Sequence, residues 1–168
     1  MQLEEQNLEK NLHLSYQIIN EFNIYVFIKK TLIHQRKSHY NNLSFHRRIW
    51  DTVLKLNLQD KIGICLDWGH VKAFSHDNLE DWITYCLNLR EQGMPIYMHI
   101  HDNDSIKDLH ETLHNGKRRG FDKIEGNQPF IDVLSKYYQQ FSKEILILEY
   151  RSDFAVEAYL EIKKDLQI

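Results

Sequence analysis

Ile64-Cys65-Leu66-Asp67-Trp68-Gly69-His70 is an apolar run that ends in a carboxylate, with an imidazole three residues further on. Side chains alternate along a strand, so Cys65 and Asp67 share a face. The same design returns twice. His99-Ile100-His101-Asp102-Asn103-Asp104 closes a strand with two imidazoles that share a face, and Ile145-Leu146-Ile147-Leu148-Glu149 closes another with a carboxylate. Between these two lies Asp108-Leu109-His110. Imidazoles and carboxylates gathered at strand ends supply what a divalent-metal site needs. Mixed nitrogen and oxygen donors suit zinc, manganese or iron better than calcium or magnesium, which makes zinc the first expectation and manganese the second.

Outward from these strands the chain alternates strand and helix. Leu8, Leu12, Tyr16 and Ile19 recur at helical spacing, and Ile24 to Ile28 follows as a buried strand. A helix from about Ser44, read as its N-cap, carries Ile49, Val53 and Leu54 and leads into strand Ile62 to Asp67. The next helix, read as capped by Asp77, has Leu79, Trp82, Ile83, Cys86 and Leu89 as its stripe and stops at Gly93. Strand Ile96 to His101 precedes a long polar loop to about Gln128. Pro129 then opens a helix with Ile131, Leu134, Tyr138 and Phe141 on one face, before strand Ile145 to Glu149 and a closing helix from about Ser152. The pattern predicts an α/β fold of four βα units with parallel strands in a single domain, 1–168. No Gly-x-Gly-x-x-Gly or Walker pattern follows any strand, which argues against a nucleotide-binding open sheet. Functional residues at the carboxyl ends of successive strands are instead what a barrel displays on its catalytic face.

Composition narrows the remaining classes. With 168 residues, 42% hydrophobic and 27% charged, the chain is long enough to bury a core and balanced enough to be soluble. A formal net charge of -3 and no run of five like charges argue against nucleic acid as the main partner. Ile24 to Ile28 is the longest uninterrupted apolar run, far short of a membrane span, and residues 1–20 are too polar for a signal peptide, so no membrane partner and a cytoplasmic location are expected. Cys65 and Cys86 fall in a strand and on a helix stripe, and read as buried thiols rather than a disulfide.

Leu66-Asp67-Trp68-Gly69-His70, the strand Met98 to Asn103 with Asp108-x-His110 after it, and Leu148-Glu149 together resemble the second half of the xylose-isomerase-like TIM barrels. That superfamily includes sugar and sugar-phosphate isomerases and epimerases, and also the apurinic-site endonucleases. The resemblance implies the C-terminal half of a (β/α)8 barrel, with Asp67, His99 and Glu149 holding a central metal. It also implies that His70 touches substrate in the isomerases, whereas in the endonuclease branch His70, Asp108 and His110 hold a further zinc. Two departures stand out. Family members end the fifth strand with a glutamate that is ligand and acid/base, and here that strand ends Ile28-Lys29-Lys30-Thr31, with Lys29 in the glutamate's place. An ammonium about 4 Å from a divalent ion adds roughly 4 kcal/mol of repulsion per unit charge at an effective dielectric of about 20. The second departure is length, since four βα units are half a barrel. A homodimer, or a partner chain that completes the barrel, is therefore expected.

The resemblance implies a metal-dependent isomerase or epimerase of a sugar or sugar phosphate, with a sugar-like small molecule as substrate and Glu149 and Lys29 as the catalytic pair. A non-catalytic half-barrel subunit is one alternative, favoured by Lys29. A zinc phosphoesterase of the apurinic endonuclease type is the other. On the residues alone, a carboxylate that caps the following helix is the lesser reading of Asp67, His101 and Asp102 read as supports for the ligands, and Lys117-Arg118-Arg119 reads as a solvated loop.

Overall fold

Strands β1 (Val26–Lys29), β2 (Ile62–Asp67), β3 (Ile96–Ile100) and β4 (Ile145–Leu148) form one parallel sheet in the computed structural model, in the spatial order β1-β2-β3-β4. The structure describes residues 6, 7, 9–14, 17, 26–29, 42–104, 109–119, 129–141, 145–150 and 154–168, with backbone only for 26–29 and 145. Each strand pairs with its neighbours in sequence and the order never reverses. An open doubly wound sheet needs such a reversal, whereas a barrel does not have one. The helices are α1 (Leu43–Lys55), α2 (Trp68–Phe74), α3 (Leu79–Glu91), α4 (Leu113–Arg118), α5 (Phe130–Phe141) and α6 (Ala155–Leu166).

Apolar spacing explains which helix faces turn inward. α1 buries Leu43, Trp50 and Val53, and α3 buries Leu79, Trp82, Ile83, Cys86, Leu87 and Leu89. The three tryptophans, Trp50, Trp68 and Trp82, are almost wholly removed from water and join Ile64, Leu66, Met98 and Ile100 of the sheet in one core. Burying a large apolar side chain in this way stabilises by roughly 1.5–3 kcal/mol. Parallel register fixes the faces: Leu66 pairs with Met98 and Met98 with Leu146, while Asp67 pairs with His99 and His99 with Ile147. Met98 therefore lies on the helix-covered side of the sheet. The residues in register with Asp67 and His99 line the other side.

Several boundaries differ from the sequence reading, each for a local reason. Asn42, not Ser44, caps α1, accepting from the Phe45 amide at 2.7 Å. Asn78, not Asp77, caps α3, accepting from the Asp81 amide at 2.9 Å. Asp77 instead reaches across to the Leu43 amide at 2.5 Å and ties the starts of α1 and α3 together. Tyr137 rather than Tyr138 completes the buried stripe of α5. α4 occupies part of the segment read as a polar loop, and α2 starts directly on the end of β2 with no loop at all. Gly93 ends α3 as expected, with φ at +87°, a backbone conformation that glycine adopts without strain. The opening helix falls largely outside the described residues, although 9–14 are helical and Leu12 is buried. No helix among the described residues is long and apolar enough to cross a membrane.

Candidate metal centre

Asp67 ends β2, caps α2 and belongs to the polar cluster at once. Its Oδ1 accepts the His70 amide at 3.0 Å, which is the N-cap bond, and also lies 2.9 Å from His101 Nε2. The capping and cluster readings of this residue are thus both realised on one carboxylate. Its second oxygen faces His70 Nδ1 at 3.3 Å. Burial by itself would raise the Asp67 carboxyl, but the bond and charge of His101 together with His70 overcome that and hold it well below the usual carboxylate range.

Register brings the other two strand-end groups to the same place. Glu149 follows β4 and donates its amide to the Ile100 carbonyl at 3.2 Å, which continues the pairing one step past the strand. Its carboxylate lies 2.7 Å from His99 Nδ1, 3.8 Å from His101 Nε2 and 3.9 Å from His110 Nδ1. Asp67, His99 and Glu149 each offer a ligand atom, all within 4.8 Å of one another. His70, His101 and His110 form a second group by the same measure.

His101 sits at the centre because Gly69 makes room for it. A β-carbon at position 69 would overlap the imidazole, so only glycine lets α2 pass this close. The His101 ring is wholly buried, and its Nδ1 has no hydrogen-bond partner among the described residues. His110 stacks on it with ring centroids 4.0 Å apart and planes 3° from parallel.

The loop that delivers His110 is anchored at both ends. Asp102 and Glu111 exchange backbone hydrogen bonds at 2.8 and 2.9 Å, closing the excursion at its base. Asn103 Oδ1 accepts the amides of Leu109 at 2.6 Å and His110 at 3.2 Å. His110 itself adopts φ of +49°, uncommon for a residue other than glycine or asparagine. Beneath the loop, Lys72 of α2 pairs with Asp102 at 2.6 Å, with both side chains almost fully buried. Burial raises the Asp102 carboxyl despite Lys72. Gly116 of α4 packs so closely on Asp102 that a β-carbon there would overlap the carboxylate.

Among the residues singled out in the sequence, Asp67, His99 and Glu149 converge, and His70 and His110 lie beside them with ring centroids 6.1 Å apart. Asp108 lies outside the described residues. So does the side chain of Lys29, whose backbone ends β1 in register with Cys65. His101 is more central than its reading as a support suggested, and the alternation that places it beside His99 is the signal that points to it. Lys117 and Arg118 are not a loop but the last turn of α4, with Arg119 as its C-cap, and the three face Asp132, Glu161 and Glu111 respectively.

The donor chemistry separates the two groups. One imidazole and two carboxylates, one of them held anionic, fit a divalent cation such as zinc or manganese. The three histidines fit less well as they stand. A metal lies in the plane of each ligating ring at about 2.1 Å from nitrogen. Between two parallel rings 4.0 Å apart, a shared ion would stand well out of both planes, so His101 and His110 do not bind one ion together in this arrangement.

No protein-family profile matches the chain, and no curated protein matches it. Among solved structures, the chain is similar to a D-tagatose 3-epimerase-like protein, with a TM-score of 0.59 and 20% sequence identity. The match covers 97% of this chain and 55% of that one, so the chain spans about half the length of the relative. The likeness is one of fold, part of a TIM barrel, as the four strand-helix units and their strand-end motifs led one to expect.

Proposed function

We propose that this chain is the cation-binding half of a sugar or sugar-phosphate isomerase or epimerase, with Asp67, His99 and Glu149 as ligands to zinc or manganese. The observation that supports this reading is the convergence of an imidazole and two carboxylates from the ends of three adjacent strands. Barrels of this kind build their active sites at that end. A bound divalent cation would polarise a carbonyl and the neighbouring hydroxyl of a sugar and so acidify the C–H between them. Glu149, whose carboxylate is partly open to solvent and lies beside His99, would take up or return a proton. Lys29, at the end of the strand next to β2, is proposed as the second proton-exchanging group in place of the glutamate the family has there. His70, buried beside Asp67, is the neighbouring polar group that would meet substrate hydroxyls.

The phosphoesterase reading would need His70 and His110 to share an ion with Asp108. The non-catalytic reading, favoured by Lys29, differs from the first in chemistry and in how strongly an ion is held, and one experiment separates all three. Purified without a histidine tag, the protein is titrated with Mn2+ and Zn2+ and then incubated with ketoses and their phosphates in deuterated water. One high-affinity ion is expected, weakened about tenfold or more by His99→Ala. Lys29→Glu should tighten it by restoring a ligand and removing a positive charge. Solvent deuterium appearing at the carbon next to the carbonyl supports the isomerase reading. Binding without exchange would leave the non-catalytic subunit, and two tightly held zinc ions with no exchange would favour the phosphoesterase.

A further inference from the structure

The buried pair Lys72–Asp102 lies behind the candidate cation site, and among the described residues several ties that hold Leu109, His110 and Glu111 start from Asp102 or its neighbour Asn103. Asp102 Oδ1 accepts from Lys72 Nζ at 2.6 Å and from the Asn103 amide at 2.8 Å. Asp102 also holds Glu111 by its backbone, and Asn103 holds the amides of Leu109 and His110. Lys72 is fixed in turn by the ring of Phe130, 4.7 Å away, and Gly116 leaves Asp102 no room to shift toward α4. Taking two charges out of water costs several kcal/mol per ion before their attraction offsets it, so a pair this dry is a weak source of stability. A positional task accounts for it better. The loop it anchors lays His110 flat on His101, which bonds Asp67, and sets His110 Nδ1 3.4 Å from the Glu149 carbonyl.

We propose that Lys72 and Asp102 are positioning residues that fix Asn103 and, through it, Leu109 and His110, so that His110, through His101 and the Glu149 backbone, holds the Asp67 and Glu149 carboxylates in place for a cation. The proposal rests on the reading of Asp67, His99 and Glu149 as a cation site, and its test is built with two independent readouts. The double variant Lys72→Met/Asp102→Asn removes both charges at nearly constant volume, a change that cores often accept. It should unfold at an unchanged denaturant midpoint, bind Mn2+ about tenfold more weakly, the scale typical of lost outer partners, and regain affinity in neither single variant. Combined with His110→Ala it should add no further loss, because both changes act on one chain of contacts. An unchanged midpoint with Mn2+ affinity within about twofold of wild type overturns the proposal. If the double variant does not fold, His110→Ala decides alone: affinity within about twofold of wild type overturns the proposal, and a loss of about tenfold supports it. If the unmodified protein binds no Mn2+, the cation reading fails, and the clamp is judged by amide hydrogen exchange instead. Leu109 and His110 should then lose at least about tenfold protection in the double variant, or in Lys72→Arg if that variant alone folds, and unchanged protection overturns the clamp.

Discussion

The charge of Asp67 and its capping bond can be separated by a single substitution. Asparagine caps helices as well as aspartate does, so Asp67→Asn keeps the acceptor for the His70 amide and removes only the negative charge facing His70 and His101. The folded carboxyl is depressed, so its contribution to stability is present above the unfolded value of about 3.9 and is lost as pH falls through that value toward the folded one. In metal-free protein, the variant should be less stable than wild type by about 2 kcal/mol at pH 7, with the gap closing below about pH 4. Denaturant melts of both proteins across pH 3–7 check this, and a gap independent of pH would mean that the charge contributes nothing. The same residue shows what the sequence makes legible. Asp67, His99 and Glu149 announce themselves because each lies at, or one residue from, the end of an apolar strand. Alternation puts His101, one residue beyond β3, on the face of His99, but its central place comes from the space Gly69 leaves, a contact across 32 residues that no local pattern encodes.

Element ends were the least legible part of the fold. Asn42, Ser44, Asp77 and Asn78 are all good caps, and which one serves depends on where the chain turns rather than on residue type. The bond to Leu43 that diverts Asp77 belongs to another helix, so the choice is tertiary. This makes a sharp comparison. Asn78→Ala removes the side-chain cap of α3 and should cost about 1 kcal/mol. Ser44→Ala, which loses one exposed bond from its hydroxyl to Asn42, should cost under about 0.5 kcal/mol. Urea unfolding of the two variants measures both, and equal costs would contradict the cap assignment. α4 escaped reading for a different reason: its six residues, Leu113–Arg118, include glycine and asparagine, and bury only Leu113 and Gly116. A helix so short shows no stripe, and what holds it is the Thr112 cap and its contact with Asp102.

Over the whole molecule, the strand-helix alternation was readable because periods of 2.0 and 3.6 are hard to confuse over four repeats, whereas what covers the sheet's two ends is not written in any period. Among the described residues β1 and β4 are edges, and α6 turns Val156 and Leu160 outward, 72% and 59% exposed, while burying only Ala158 and Ile162. A second copy, or another chain, covering these surfaces would form a largely apolar contact above about 2,000 Å². Light scattering after size exclusion at micromolar concentration should then give about twice the 20.3 kDa of one chain. A clean monomer would count against pairing of half-barrels. The strand order also has a consequence in time. Because each strand pairs only with those before and after it in the chain, none must be threaded between two already in place, and β2 can dock on β1, then β3, then β4, as synthesis delivers them. Asp67 and His99 would meet early in that order, and Glu149 would arrive with the last strand, so in a nascent chain the three proposed ligands come together only once the sheet is complete.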